Sequence, residues 1–376
     1  MGWLEITCIW AILVYAVFLL ANLVAALAEN KRQKALRFSG HFQPVSIIIP
    51  VRNEEDNILA CLQSILKQDF PSEKLEVIVV NDHCEDNTVA VCTPYLQKHF
   101  ANYQVLHLGE GEQGKKKAIQ KAAEQSAGTI LVTRDADMVS ESGDWLKSIL
   151  VSFEEQRCGL LISPVLLSGK NSFAASFQKY EHLAVSLLGA GMAARRLPIV
   201  CSGANLSYKK TVFQSLNPYR DNMQIASGDD MFLLKEARAK KIAIGINLRE
   251  GSPVKTPAFN SFGRAWRQRR RWAAKTTRVS TPPILFSGLI LLMGNLAALI
   301  ALIHLFIDTS YLPFGLFTLT LKLIIDFLLL FLSARMFSWK SSFAWYLPAF
   351  VLNLFYTPVM ALAPLFPKSS WKGRSA

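Results

Sequence analysis

Three acidic or basic groupings in this 376-residue chain have the types and spacing to act on a phosphate-bearing substrate. Asp135 and Asp137 flank a single alanine in Arg134-Asp135-Ala136-Asp137. A turn there lets both carboxylates face one cation. Hard divalent ions share carboxylate oxygens with substrate phosphates, so the pair suits Mg²⁺ or Mn²⁺ on a diphosphate. Most such triplets are plain surface turns; the apolar run before this one favours a site. Asp229 and Asp230 precede Met231–Ala239, which reads as a helix. Adjacent carboxylates at a helix start ordinarily cap it. Their alternative use is as a general base, taking the proton of a hydroxyl that attacks an anomeric carbon. Inversion in one step needs one such base and a stabilised leaving group. Gln268-Arg269-Arg270-Arg271-Trp272, with Arg264 and Trp266 before it, reads as a membrane-surface helix. A guanidinium in it can equally clamp a diphosphate, and a Trp can stack on a sugar.

The elements that would carry these groups alternate in type. Val45–Pro50, Leu75–Asn81, Tyr103–Leu108 and Thr129–Thr133 are short β-branched, apolar runs that read as strands. Glu54–Lys67, residues 87–99 and Lys115–Ser126 read as helices between them. The expected class is α/β, with a mostly parallel central sheet covered on both faces. Ligands of such sheets bind outside the carboxyl ends of the strands. The polar clusters Arg52-Asn53-Glu54-Glu55, Asn81-Asp82-His83 and Arg134–Asp137 follow three of these strands. No GxxxxGK[ST] occurs, which removes the usual P-loop reading.

Apolar stretches stand at both ends. Ile6–Ala28 is long enough to cross a hydrocarbon core of about 30 Å, and Lys31, Arg32, Lys34 and Arg37 follow it. A cleaved signal would carry its basic residues first. The charge asymmetry places residue 30 onward in the cytosol. Pro283–Ile307, Leu312–Leu332 and Phe343–Phe366 read as three further spans, the last interrupted by Pro348, Pro358 and Pro364. The loop at 308–311 reads as external and the loop carrying Arg335 and Lys340 as internal, while Lys368, Lys372 and Arg374 fit an external tail poorly. Lys322 and Asp326 stand one helical turn apart inside a span, as a self-neutralising pair would. The expected organisation is a transmembrane anchor over 1–30, a cytosolic catalytic domain over 31–252, an interfacial segment over 253–281 and a membrane region over 282–376.

The composition agrees. Hydrophobic residues make up 51% of the chain, yet the net charge is +13, which fits apolar spans flanked by Lys and Arg. Nucleic-acid binding is not expected, because the basic run has no recognition fold or stacking platform around it. The six cysteines form no CxxC pair, so they read as free thiols and not as a zinc site or disulfide framework.

In order and spacing these segments resemble the family 2 glycosyltransferases of GT-A fold. They are most similar to the membrane-integrated branch with cellulose, hyaluronan and poly-N-acetylglucosamine synthases and ceramide glucosyltransferases. The resemblance runs from Val45 to Trp272 and rests on PVRNEE, NDHCEDNT, DAD, SGAN at Ser202–Asn205, the acidic pair and the QxxRW box. It implies that Asn53, Glu54, Asp82, Asp135 and Lys115 or Lys116 meet a nucleotide-sugar, and that Asp137, with Asp135, holds Mg²⁺ or Mn²⁺. By the same resemblance Asp230 is the base, and Ser202, Gly203, Asn205, Asp229, Gln268, Arg271 and Trp272 lie beside the acceptor and diphosphate. Two departures stand out: Asn81 precedes Asp82 where the family usually has a second aspartate, and Asp229 replaces its usual glutamate.

The expected activity is inverting, metal-assisted transfer from a UDP-sugar to a lipid or membrane-proximal glycan. The competing readings are a processive polysaccharide synthase and a non-catalytic membrane scaffold built on a degenerate transferase domain.

Overall fold

A computed structural model describes residues 2–35, 38–225, 228–276, 279–307, 310, 312–340, 342–363, 370–371 and 374–375. In chain order the elements are α1 (Trp3–Lys34), β1 (Val45–Val51), α2 (Ile58–Leu66), β2 (Leu75–Asn81), α3 (Thr88–His99), β3 (Asn102–His107), α4 (Lys115–Gln125) and β4 (Ile130–Thr133). There follow β5 (Val139–Ser140), α5 (Trp145–Gln156), β6 (Leu160–Ile162), β7 (Val165–Ser168), α6 (Phe173–Ala194), β8 (Leu206–Lys209), α7 (Lys210–Leu216) and α8 (Asp229–Ala239). The chain continues through β9 (Ile244–Ile246), β10 (Val254–Pro257), α9 (Phe262–Thr276), α10 (Pro282–Ile307), α11 (Leu312–Met336) and α12 (Tyr346–Ala361). It divides into two compact units: residues 29–168 with 200–257, and residues 1–28 with 169–199 and 258–375. The segment holding α6, expected within the catalytic domain, therefore falls in the second unit.

The first unit is α/β. Its seven-stranded sheet has the order β3-β2-β1-β4-β8-β6-β9, and β8 alone runs against its neighbours. β1 and β2 are continuous apolar runs because both their faces are covered: Ile47, Ile48, Ile49 and Val77–Val80 are fully buried. Ile58, Leu62 and Ile65 of α2, Leu96 of α3 and Trp145 of α5 pack into the same core. A smaller sheet, β5-β10-β7, sits in the same unit.

The expected strands and helices match the observed ones within a few residues, except that α2 starts four residues late. Residues 54–57 serve the loops instead. The Glu54 amide donates to Thr88 Oγ1 (2.8 Å) and the Asn87 amide to Glu55 Oε2 (2.9 Å). Asn53 Oδ1 accepts from the Glu85 amide at 2.9 Å. These bonds join the loop after β1 to the loop after β2 in place of a first helical turn.

In the second unit α1, α10 and α11 are long and apolar enough to cross a membrane. α12 has 16 residues. At about 1.5 Å per residue that falls short of a hydrocarbon core, so the third C-terminal span of the sequence reading is a shorter helix. The Lys322–Asp326 pair forms as expected, and α1 joins it: Tyr15 donates to Asp326 Oδ1 at 2.6 Å and accepts from Lys322 Nζ at 3.2 Å. Lys368 and Lys372 lie outside the described residues, as do 308, 309 and 311 of the loop read as external.

Candidate active site

The site in the α/β unit is assembled at the carboxyl ends of β1, β2 and β4. The Asp135–Asp137 turn follows β4 and is held from below by a residue that sequence spacing does not single out. Arg134 is completely buried. Its Nη2 donates to Ser64 Oγ at 2.7 Å and to the Met138 carbonyl at 3.0 Å, and its guanidinium lies 4.6 Å from the Trp145 ring centre. A buried guanidinium is tolerated only with such partners. Here they tie both ends of the turn to α2 and α5. The turn closes with Met138 N donating to Asp135 O at 3.1 Å. Thr256 of β10 donates its hydroxyl to Asp137 Oδ2 at 3.0 Å, which fixes the second carboxylate.

Lys115 connects this turn to the acidic pair at the start of α8. Its ammonium lies 2.6 Å from Asp135 Oδ1 and 3.2 Å from Asp229 Oδ2. Burial alone would push this ammonium down; the Asp135 and Asp229 carboxylates outweigh it and hold it well above the ordinary lysine range. Asp82 sets the start of the helix that carries Lys115. Asp82 is buried, and its Oδ2 accepts from Gly114 N at 3.0 Å. Gly114 is at φ +93, where a side chain would be strained, and Lys115 is the next residue.

Gly203 lies against the same ion pair. A Cβ there would fall 2.3 Å from Asp229 Oδ2 and 3.1 Å from Lys115 Nζ. The Gly203 amide donates to Asp230 Oδ2 at 3.3 Å, and the Met231 amide donates to Asp230 Oδ1 at 2.7 Å. Asp135, Lys115, Asp229, Asp230 and Gly203 thus converge from four separated stretches of chain.

The remaining sequence candidates divide. Asn53 and Glu54 sit in the tied loop after β1, Asn53 at φ +53 and exposed. Ser202 is half-buried beside Gly203. Lys116 and Asn205 are committed elsewhere. Lys116 points away from its neighbour, with Nζ 2.6 Å from Asn222 Oδ1 and 4.2 Å from the Phe232 ring centre. Asn205 is fully buried; its amide donates to the Pro164 and Ser252 carbonyls at 2.8 and 3.0 Å and accepts from Trp145 Nε1 at 3.0 Å. Its polar atoms bind the core and are not offered to an acceptor. The i,i+1 relation of Lys115 and Lys116 on α4 already excludes a shared direction. Nothing in the sequence marks Arg134 except its position before the triplet.

A cation fits this donor set. Asp137 is pushed up to about 6, first by burial and then by the charge of Asp135. A metal there would relieve both. Among the described residues no three Asp, Glu, His or Cys side chains form a ready-made cage. That suits an ion taking one or two carboxylates from protein and the rest from phosphate. Gln268, Arg271 and Trp272 belong to the other compact unit, on α9, all half-buried.

Residues 46–214 match the description Glycosyl transferase family 2. The chain carries a family 2 glycosyltransferase domain. Glycosyltransferase AglE of Haloferax volcanii is 28% identical to the chain over 193 residues, 51% of this chain and 60% of that protein. The probable glycosyltransferase YdaM of Bacillus subtilis is 21% identical over 275 residues, 72% of this chain and 64% of that protein. The chain thus spans less than two thirds of either relative. Among solved structures, the mannosyltransferase PcManGT from Pyrobaculum calidifontis, in complex with GDP-Man and Mn²⁺, superposes with a TM-score of 0.56 at 18% identity, covering 96% of this chain and 99% of that one. The likeness is one of fold, and the family 2 domain is accordingly GT-A.

Proposed function

We propose that this glycosyltransferase moves a sugar from a nucleotide-sugar, UDP-linked in our reading, to a lipid or membrane-proximal glycan, with inversion at the anomeric carbon. The carrying observation is the bridge that Lys115 makes between Asp135 and Asp229, with Asp230 beside it on the Gly203 amide. One cation and three carboxylates there suit a diphosphate leaving group next to a base. The acceptor hydroxyl oxygen bonds to the sugar C1 while the C1–O bond to the diphosphate breaks, its electron pair leaving with the nucleoside diphosphate. The hydroxyl proton goes to the Asp230 carboxylate. Lys115 meets the charge that builds on the phosphates. Asp135 and Asp137 would hold Mg²⁺ or Mn²⁺, which when bound supplies further neutralisation of that charge. The Mn²⁺ in the mannosyltransferase complex supports metal use, and its GDP-Man keeps guanosine donors in any screen.

Lys31, Arg32 and Lys34 in the last turn of α1 support a cytosolic site at a multi-pass membrane protein. Among the described residues three helices are of spanning length, which leaves little protein there for a polymer conduit and supports single addition over processive synthesis. The test is a panel of UDP- and GDP-sugars with purified chain, scored by released nucleoside diphosphate and by product size. Asp230→Asn should lower transfer by about 10²–10⁴-fold while sparing donor binding. Turnover retained in that variant would sink the assignment of the base.

A further inference from the structure

The box helix α9 carries its basic residues on two sides. Arg264 and Arg267 are exposed, but Arg269 turns inward, on the side of the buried Ala265, and is only 7% exposed. It is the first of the two residues that the Gln-x-x-Arg-Trp pattern leaves unspecified. Burying a guanidinium is costly without a partner, and Arg269 has three. Its Nε donates to Glu181 Oε2 of α6 at 2.9 Å. Tyr356 of α12 hydrogen-bonds the same pair. The guanidinium lies 4.4 Å from the centre of the Trp272 ring, within cation–π range. All of these residues belong to one compact unit.

We propose that Glu181 and Arg269 are positioning residues for Trp272: the carboxylate fixes the guanidinium, and the guanidinium fixes the face of the indole. This rests on the reading of Trp272 as part of the transfer site. A side chain that must meet a sugar or acceptor in one pose needs its own rotamer held by a supporting contact. Trp272 stands at the i+3 position from Arg269, so the two stack on one helix face, and Glu181 keeps Arg269 from turning out to solvent as Arg264 and Arg267 do. An ion pair that only clipped α9 to α6 would need no aromatic partner and would work with lysine in place of arginine.

The experiment is a double-mutant cycle on the full chain in lipid nanodiscs. Arg269→Lys keeps the charge and loses the planar stack. It should lower kcat about tenfold with donor KM unchanged, and should cost almost nothing further in a Trp272→Phe background. Glu181→Gln should follow the same pattern, which guards against a folding fault in either variant alone. Additive losses, or full activity of Arg269→Lys, would overturn the proposal. A second readout needs no turnover: the emission difference between the chain and Trp272→Phe isolates this indole from the other seven tryptophans. Arg269→Lys should change that difference spectrum. An unchanged spectrum refutes the positioning role; a changed spectrum in a chain that transfers no sugar refutes the proposed function alone.

Discussion

Lys115 and Asp229 form a contact of 3.2 Å between the first turn of α4 and the first turn of α8, more than a hundred residues apart in sequence. The same ammonium reaches Asp135, so one cation offsets carboxylates from two segments. Helix starts favour negative charge, and α8 supplies it with Asp229 and Asp230. At the start of α4 the opposite sign stands where the helix dipole disfavours it. A residue placed against its local preference is expected where the site needs it.

Lys115→Met is therefore expected to act on stability as well as turnover. It leaves the largely buried Asp229 beside Asp135 with no ammonium, a loss of about 1.5–3 kcal/mol for a charged hydrogen bond. The more exposed Asp135 side of the bridge contributes less, through solvent screening. Adding Asp229→Asn should recover most of the lost melting temperature without restoring transfer. Thermal unfolding of both variants checks this, and no recovery in the double variant would refute the bridge.

Arg134→Met should loosen the Asp135–Asp137 turn. The substitution keeps an apolar stem but strips the Met138 carbonyl of its guanidinium donor, about 1–3 kcal/mol if left buried and unpaired, while Ser64 Oγ keeps the Cys61 carbonyl and the Ser140 amide. Mn²⁺ binding, followed by electron paramagnetic resonance in the presence of nucleoside diphosphate, should weaken more than tenfold in protein that remains folded. Wild-type affinity in Arg134→Met would show that the turn needs no such support.

The α/β order was legible because β1 and β2 are unbroken apolar runs and α2 and α4 have helical spacing; those patterns are set by burial on two faces or on one. The carboxylates after the strands were legible for the same reason, since sheet topology dictates where polar residues collect. What spacing could not separate was direction. Lys115 and Lys116 are adjacent and chemically alike, and only the packing of Phe232 and Asn222 against Lys116 separates it from Lys115, which reaches Asp135 and Asp229. Asn205 sits in a polar SGAN motif, yet its amide is drawn into the core by carbonyls of Pro164 and Ser252. Arg134 was invisible because a buried arginine looks, in sequence, like any surface arginine. The start of α2 was missed because acidic residues favour a first helical turn, and here tertiary bonds to the neighbouring loop outweighed that preference.

Gly203→Ala tests how closely the loop proposed to face the acceptor approaches the ion pair. The new methyl would overlap Asp229 Oδ2 at 2.3 Å, and either the loop or the carboxylate must move. A displacement of about 1 Å at reacting groups can cost 10²-fold in rate. The expected result is a loss of kcat of that order with a smaller loss of donor affinity, because the new methyl lies 3.1 Å from Lys115 Nζ while Asp82 and Asp137, proposed to meet the donor, are not among its nearest neighbours. Equal losses in both parameters would instead indicate general collapse of the site.

The final prediction concerns the buried pair in the membrane region. Lys322 is completely buried and pairs with Asp326, which also accepts from Tyr15 of α1. Removing one partner, as in Lys322→Met, leaves an uncompensated carboxylate and should destabilise by about 3–5 kcal/mol. Removing both, as in Lys322→Met with Asp326→Leu, replaces the pair by apolar volume and should return stability close to that of the parent. Melting in nanodiscs, read from α-helical circular dichroism, separates the outcomes. If the double variant is as unstable as the single one, the pair contributes more than mutual neutralisation. Tyr15 would then be the next residue to replace, because the double variant removes Asp326 and Lys322, the two groups that its hydroxyl bonds.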